Sequence, residues 1–241
     1  MKHLICCTTL AVVLAASATF IQAQTNDSPA APTVSAADRA KATLEKHIKP
    51  VLAALNLTDA DKTLKVRAIL EAQLQALNVW HAQNDARLKT LWNEFNNARG
   101  KQEATNADAA LAKIDSVYAT FKPQHDQFIS DLSLVLTPAQ LETVKDVLTV
   151  NKVKVTYSVY LQIFPTLTDE QKAVVLKNLK AAREEAIDAE AMTEKSAFFK
   201  KYKIKIEDNY LTAQGYDPKQ ARKDFAAKQK AEAAAKSVDD K

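Results

Sequence analysis

Glycine and cysteine are nearly missing from this chain of 241 residues. It holds two glycines, Gly100 and Gly215, and two cysteines, Cys6 and Cys7. No segment alternates apolar and polar residues over a convincing length, as a half-buried strand would. Because both cysteines lie close to the amino terminus, the rest of the chain has no disulfide or thiol chemistry. These absences predict an all-α protein.

A strong excess of charge and a membrane-spanning segment are missing as well. The formal net charge is +4, which gives no reason to expect nucleic-acid binding. The apolar run at residues 4–18 is too short to span a bilayer, follows the basic Lys2 and precedes the small residue Ala23. This pattern is typical of a secretory signal peptide cleaved near Ala23. We therefore expect a periplasmic or secreted protein with no membrane span in the mature chain.

The sequence divides into a leader, a lead-in and a domain. Residues 1–23 are the predicted signal peptide. Residues 24–37 are rich in proline, serine, threonine and alanine, which predicts a flexible lead-in. Residues 38–241 are long enough to form a single helical domain with its own core.

Helix starts are clearly marked in the second half of the chain. Thr137 precedes Pro138 and lies three residues before Gln140, which gives an N-cap, a proline at the first helical position and a capping box. Thr168 and Gln171 repeat the cap and the box. The predicted helices span residues 36–55, 59–97, 106–135, 138–149, 156–164, 168–190, 193–214 and 218–236.

The second and third predicted helices carry polar side chains in the middle of an apolar seam. Apolar residues recur every three or four positions, but His81 and Asn84 interrupt the first seam and His125 interrupts the other. Both histidines are equally far in sequence from Glu103, in the polar turn between the helices. A long antiparallel hairpin, followed by shorter helices, would place both imidazoles at one level, within about 5 Å. Pro123 should kink the third predicted helix beside His125.

These polar seam residues have two interpretations. Buried polar groups can fix the register of two helices. Alternatively His81 and Asp85, four residues apart on one helix face, belong with Asn84 and His125 to a ligand-binding site. A zinc site needs three or four ligands, and this level offers few, so the sequence predicts no metal and no cofactor. Paired carboxylates for sugar hydrolysis are not evident here, which favours binding over catalysis and leaves an enzyme as a third possibility.

A series of short motifs runs through most of the chain. They are Asn78-Val79-Trp80-His81, Leu136-Thr137-Pro138-Ala139-Gln140, Thr156-Tyr157-Ser158-Val159-Tyr160, Ala182-Arg183-Glu184-Glu185, Lys201-Tyr202-Lys203 and Gly215-Tyr216-Asp217. In these residues the chain resembles a family of secreted bacterial proteins catalogued as a domain of unknown function. That family is described as sugar-binding and is often encoded beside polysaccharide-degrading enzymes. The resemblance makes Arg183 and Glu184 candidate ligand contacts.

The sequence departs from the family pattern at two places where the family has glycine. A stretch similar to Gly-Met-Thr-Tyr-Gly is Val147-Leu148-Thr149-Val150-Asn151 in this chain. The glycine that follows Lys-Tyr-Lys in the family is Ile204. If that glycine lets a ligand approach the backbone, Ile204 would obstruct it.

Aromatic and basic residues supply further surface candidates. Tyr157 and Tyr160 are expected at the surface, where a phenol ring can stack on a sugar and its hydroxyl can bond to it. Lys201 and Lys203, on either side of Tyr202, predict a basic patch that would attract an acidic polysaccharide, although such a run is commonly just a solvated face. Replacing both lysines with glutamine should then weaken polymer binding with little effect on stability.

Two classes of function therefore remain open besides an enzyme. The first is a carbohydrate-binding protein of the periplasm. The second is a helical periplasmic chaperone, because Leu-Thr-x-x-Gln repeats also occur in a stress-induced family of that kind. The sequence does not determine the oligomeric state or name the sugar.

Overall fold

The computed structural model describes residues 35–239. The predicted signal peptide and most of the predicted lead-in lie outside the described residues. The helices are α1 (Ala36–Leu55), α2 (Ala60–Gly100), α3 (Ala104–Tyr118), α4 (Lys122–Val135), α5 (Pro138–Leu148), α6 (Lys152–Ile163), α7 (Asp169–Ala186), α8 (Met192–Lys203), a π-helix (Ile204–Leu211) and α9 (Pro218–Asp239). Residues 35–239 contain no strand, so the all-α prediction is confirmed. Among these residues, every helix is too short or too polar to cross a bilayer.

The long antiparallel hairpin is present. Helix α2 packs against both α3 and α4, and the chain reverses at Gln102, whose φ of 62° is left-handed. Helix α7 lies across the second half of the molecule and contacts α5, α6, α8 and the π-helix. The shorter helices therefore cover the hairpin, and α1 closes the other end by packing on α2 and α5.

Two apolar cores lie along the hairpin, one on each side of the histidines. On α2, Leu70 belongs to the smaller core and Leu88 to the larger one, and His81 lies between them. On the returning helices of the hairpin, Val117 of α3 belongs to the larger core and Phe128 of α4 belongs to the smaller one. The seam interruptions therefore mark a polar layer between two separate apolar cores.

The predicted third helix, residues 106–135, is two helices rather than one kinked helix. Helix α3 ends at Tyr118 and α4 begins at Lys122, which places Pro123 in the first turn of the new helix. A backbone N–H is not needed there, so the proline is tolerated where the helix starts anew. The predicted interruption of the helix near Pro123 is confirmed. The predicted kink is wrong, because one helix ends there and another begins.

Several further boundaries differ from the predictions, and α7 ends at Ala186 rather than at residue 190, so Asp188 and Glu190 lie beyond the helix. Helix α6 begins at Lys152 rather than at residue 156. The predicted helix at 193–214 changes to π-helical winding at Ile204, where the resembled family has glycine. Both capping boxes form as predicted, with Gln140 and Gln171 bonded reciprocally to Thr137 and Thr168.

The turn between α5 and α6 holds two consecutive left-handed residues. Val150 has φ 51° and Asn151 has φ 54°. Asparagine tolerates this region better than most side chains, which explains how Asn151 stands where the resembled family has glycine. A β-branched residue such as Val150 is strained there.

We expect Val150→Gly to stabilise the protein by up to about 1 kcal/mol, because glycine removes the left-handed strain and the valine side chain is 50% exposed. Chemical denaturation measures the free energy of unfolding. The matched control is Val155→Gly, a valine inside α6 that is 59% exposed, which should cost about 0.5 kcal/mol. Destabilisation by both changes would show that Val150 is not strained.

Candidate functional site

The two seam histidines meet at one residue, Asp188, in the connection between α7 and α8. Its backbone oxygen lies 2.7 Å from Nε2 of His81. Its carboxylate Oδ2 lies 2.9 Å from Nδ1 of His125, and its Oδ1 accepts a 3.4 Å hydrogen bond from Gln73. The prediction that both imidazoles lie at one level is confirmed. They do not face each other directly, because Asp188 lies between them.

Both ring nitrogens of His81 lie within hydrogen-bond distance of an oxygen atom. A backbone carbonyl can only accept, so Nε2 carries the hydrogen that is donated to Asp188. The other nitrogen, Nδ1, lies 2.6 Å from Oδ1 of Asp85, one turn further along α2. Asn84 does not point into this layer, because its amide donates to the backbone oxygen of Trp80 on its own helix. Of the predicted group, His81 and His125 both contact Asp188, and Asp85 contacts His81, whereas Asn84 contacts none of them.

His125 opens into a cleft of about 380 Å³ between α3, α4, α7 and α8, which we name the His125 cleft. Rings of Tyr118 and Phe198 form part of its wall. Its charged lining residues are Asp115, Lys122, His125, Asp126, Glu184, Glu185, Asp188 and Lys201. Carboxylates outnumber lysines, so the cleft is acidic.

The carboxylate of Asp188 raises the pKa of His125 above its ordinary value, against the opposing effect of partial burial. Glu184 and Asp126 add to the increase. The imidazolium form of His125 is therefore stabilised in the folded protein, and it can donate from both ring nitrogens.

Arg183 anchors the wall of the cleft rather than lining it. Its guanidinium is 2% exposed and bonds to Asp146 at 2.6 Å, Glu142 at 2.8 Å and Glu184 at 3.1 Å. Glu184 also accepts from Lys145 at 2.7 Å. These bonds tie α5 to α7 and hold Glu184 at the edge of the cleft.

The predicted basic patch is wrong for Lys201. Its side chain is 6% exposed, and Nζ is held between Asp115 at 2.6 Å and Glu185 at 2.7 Å. Tyr202 is also buried and donates to Glu185. Lys203 stays partly exposed, 3.6 Å from Glu207. Helical periodicity did not reveal this burial, because the partners come from α3 and α7.

The predicted surface role of Tyr160 is also wrong. Tyr160 is 2% exposed and donates to the carboxylate of Glu207, a buried residue of the π-helix that Arg222 also pairs with. Burial and that carboxylate raise the pKa of Tyr160 far above its ordinary value. Tyr157 is half-buried against the larger core. Neither ring stands free at the surface.

Sequence reasoning missed Asp188, Gln73 and Glu190, which complete the polar layer. Asp188 and Glu190 lie in a connection outside any helical seam, so periodicity could not mark them. Gln73 lies on α2 beside the seam, is buried, and bonds to Asp188 in the connection after α7. The sequence marks these residues only weakly. Asp188 and Glu190 follow the Arg183-Glu184-Glu185 motif, and Gln73 precedes His81 on the same helix.

The fold and site thus define an all-α helical bundle with an acidic, histidine-containing cleft. The chain matches the family described as "Protein of unknown function (DUF3826)" over residues 41–231 and belongs to that family. A search of curated proteins found no match to this chain.

Replacing Lys201 with glutamine should lower the free energy of unfolding by about 1–3 kcal/mol, because two carboxylates lose a buried partner. The loss is smaller than for a fully buried pair, since Asp115 and Glu185 are partly exposed. The control Lys203→Gln should change it by less than about 0.5 kcal/mol. Equal effects of both changes in denaturation experiments would contradict the burial of Lys201.

The contribution of His125 to stability should depend on pH. Its folded pKa exceeds the unfolded value of about 6.5, so its stabilisation is complete below pH 6.5 and is lost as pH rises through the folded pKa. The difference in unfolding free energy between wild type and His125→Asn should therefore shrink as the pH rises through the folded pKa of His125. Asp188→Asn should flatten this dependence in the same way. A difference that grows with pH would contradict the assignment.

Proposed function

We propose that this protein is secreted to the periplasm, where it binds a carbohydrate without net charge in the His125 cleft. The observation that carries the proposal is the cleft itself, about 380 Å³ and lined by carboxylates beside aromatic rings. This volume lies in the usual range of ligand sites, about 300–1,000 Å³. Carboxylate oxygens accept hydrogen bonds from sugar hydroxyls, and such charge-assisted bonds are stronger than neutral ones.

The charge of the cleft favours a neutral sugar over an acidic one. Lys201 is already paired with Asp115 and Glu185, and Lys122 with Asp126 at 2.6 Å. A uronic-acid polymer would therefore meet an excess of carboxylates with few cations to receive it. The basic-patch interpretation from the sequence loses its main residue for the same reason.

The secreted location rests on the signal-peptide pattern at residues 1–23. The chaperone alternative rests on the Leu-Thr-x-x-Gln repeats. Both copies form capping boxes that start α5 and α7, so ordinary helix capping accounts for the motif. Carbohydrate binding is therefore the function that the His125 cleft supports.

The test is isothermal titration calorimetry of the folded protein with neutral and uronic-acid oligosaccharides. We expect neutral oligosaccharides to bind and acidic ones to bind at least tenfold more weakly. Asp126→Asn and His125→Asn should each weaken binding about tenfold, the loss of one hydrogen bond to a charged group. Glu232→Gln on α9, a carboxylate in another helix-surface ion pair, is the control and should bind as wild type does.

Three results would overturn the proposal. They are no binding to any neutral glycan, preference for the acidic polymer, and full binding by both cleft variants. Shortened oligosaccharide products after incubation would instead show that the cleft is an active site, which the same variants would then test.

A further inference from the structure

A second cluster of polar groups lies on the other side of Asp188. Ligand atoms of His81, Asp85 and Glu190 all lie within 4.8 Å of one another. His81 and Asp85 come from successive turns of α2, and Glu190 comes from the connection between α7 and α8. One imidazole and two carboxylates therefore converge from two separate parts of the fold.

The orientation of His81 suits metal ligation. Its Nε2–H is donated to the backbone oxygen of Asp188, which fixes the ring and aims Nδ1 at Asp85 and away from that carbonyl. Metal-binding histidines commonly donate their second nitrogen to a backbone carbonyl in this way. His81 is 1% exposed, so the ring cannot turn toward solvent to find another partner.

Glu190 is held in place from its backbone. Its N–H donates to the carboxylate of Glu194 at 3.1 Å, and that carboxylate also accepts a hydrogen bond from Tyr118 at 2.5 Å. Tyr118 belongs to α3, so the hairpin itself fixes the position of the connection. The third ligand is therefore anchored although its side chain is exposed.

We infer that His81, Asp85 and Glu190 form a binding site for a divalent transition-metal ion such as Zn²⁺. Imidazole nitrogen selects for such ions over Mg²⁺ and Ca²⁺, and carboxylate oxygens complete the set. Three protein ligands leave at least one coordination position open. That position would face an open cavity of about 430 Å³, lined by Asp85 and Glu190 and accessible to water or an exogenous ligand.

The geometry needs only a small adjustment to receive the ion. Nδ1 of His81 and Oδ1 of Asp85 are 2.6 Å apart, whereas two ligands of one zinc ion stand about 3 Å apart or slightly more. The side chain of Asp85 is 54% exposed and free to withdraw by that amount. The sequence argument against a metal counted His125 as a ligand. The structure places His125 on the other face of Asp188 and supplies Glu190 in its stead.

The first experiment titrates EDTA-treated, metal-free protein with ZnCl₂ in a calorimeter. We expect one Zn²⁺ per chain and a melting temperature that rises with free Zn²⁺, as for any ligand that binds only the folded state. Co²⁺ should give the visible absorption of a low-coordinate site with nitrogen and oxygen ligands. Absence of stoichiometric binding by folded protein would overturn the inference.

Variants assign the ligands without disturbing the core. Asp85→Asn and Glu190→Gln alter exposed carboxylates, so both should fold, and each should weaken Zn²⁺ binding at least tenfold. Their controls are Asp131→Asn on α4 and Glu232→Gln on α9, which should bind Zn²⁺ as wild type does. If Asp85→Asn lowers stability but leaves Zn²⁺ affinity unchanged, His81 and Asp85 are only an ion pair and the site does not exist. Full binding by Glu190→Gln would overturn the inference equally.

Discussion

The polar layer of this protein depends on the pairing of Asp188 with both seam histidines. A buried polar group without a partner costs about 1–3 kcal/mol, so two imidazoles placed between apolar cores must find acceptors. Helices α2, α3 and α4 do not supply an acceptor that reaches both. The connection after α7 does, with a backbone oxygen that bonds to His81 and a carboxylate that forms an ion pair with His125 at 2.9 Å. The hairpin therefore needs the second half of the chain to complete its polar layer.

The connection that carries Asp188 is itself held by a buried lysine. Nζ of Lys195 donates to the backbone oxygens of Ala186, at the end of α7, and Ala189. These carbonyls have no partner within the helix, and a cation there also interacts favourably with the helix dipole. Burial lowers the pKa of Lys195 to about 8, and the carboxylates of Glu194, Asp188 and Glu190 oppose that decrease. Lys195 fixes the path of residues 187–191 and thus the position of Asp188.

Local signals predicted local structure well in this chain. Thr137, Thr168 and their glutamines mark helix starts because a capping box satisfies backbone groups within four residues of each other. The heptad seams predicted the hairpin and the level of His81 and His125. They could not predict Asp188 or Glu190, which lie outside any repeat and reach the histidines only through tertiary contacts of the connection between α7 and α8.

The solvent exposure of side chains was the property that the sequence predicted least well. Lys201 and Tyr160 carry polar atoms, and a polar residue on a helix is ordinarily expected at the surface. Both are buried because distant carboxylates, those of Asp115 and Glu207, satisfy the polar end while the rest of the side chain packs in the core. Pairings between residues so far apart in sequence leave no periodic trace in a single chain.

Asp188 also links the two faces of the polar layer mechanically. Its backbone oxygen orients His81 toward Asp85 and Glu190, while its side chain holds His125 at the edge of the cleft. A shift of the connection would move both histidines, because one residue supplies both contacts. Buried and tightly packed groups have few alternative arrangements, so a displacement on one face is not absorbed before it reaches the other. The two histidines therefore belong to one polar layer that borders a cavity on each side of Asp188, rather than being two independent polar residues in a helical seam.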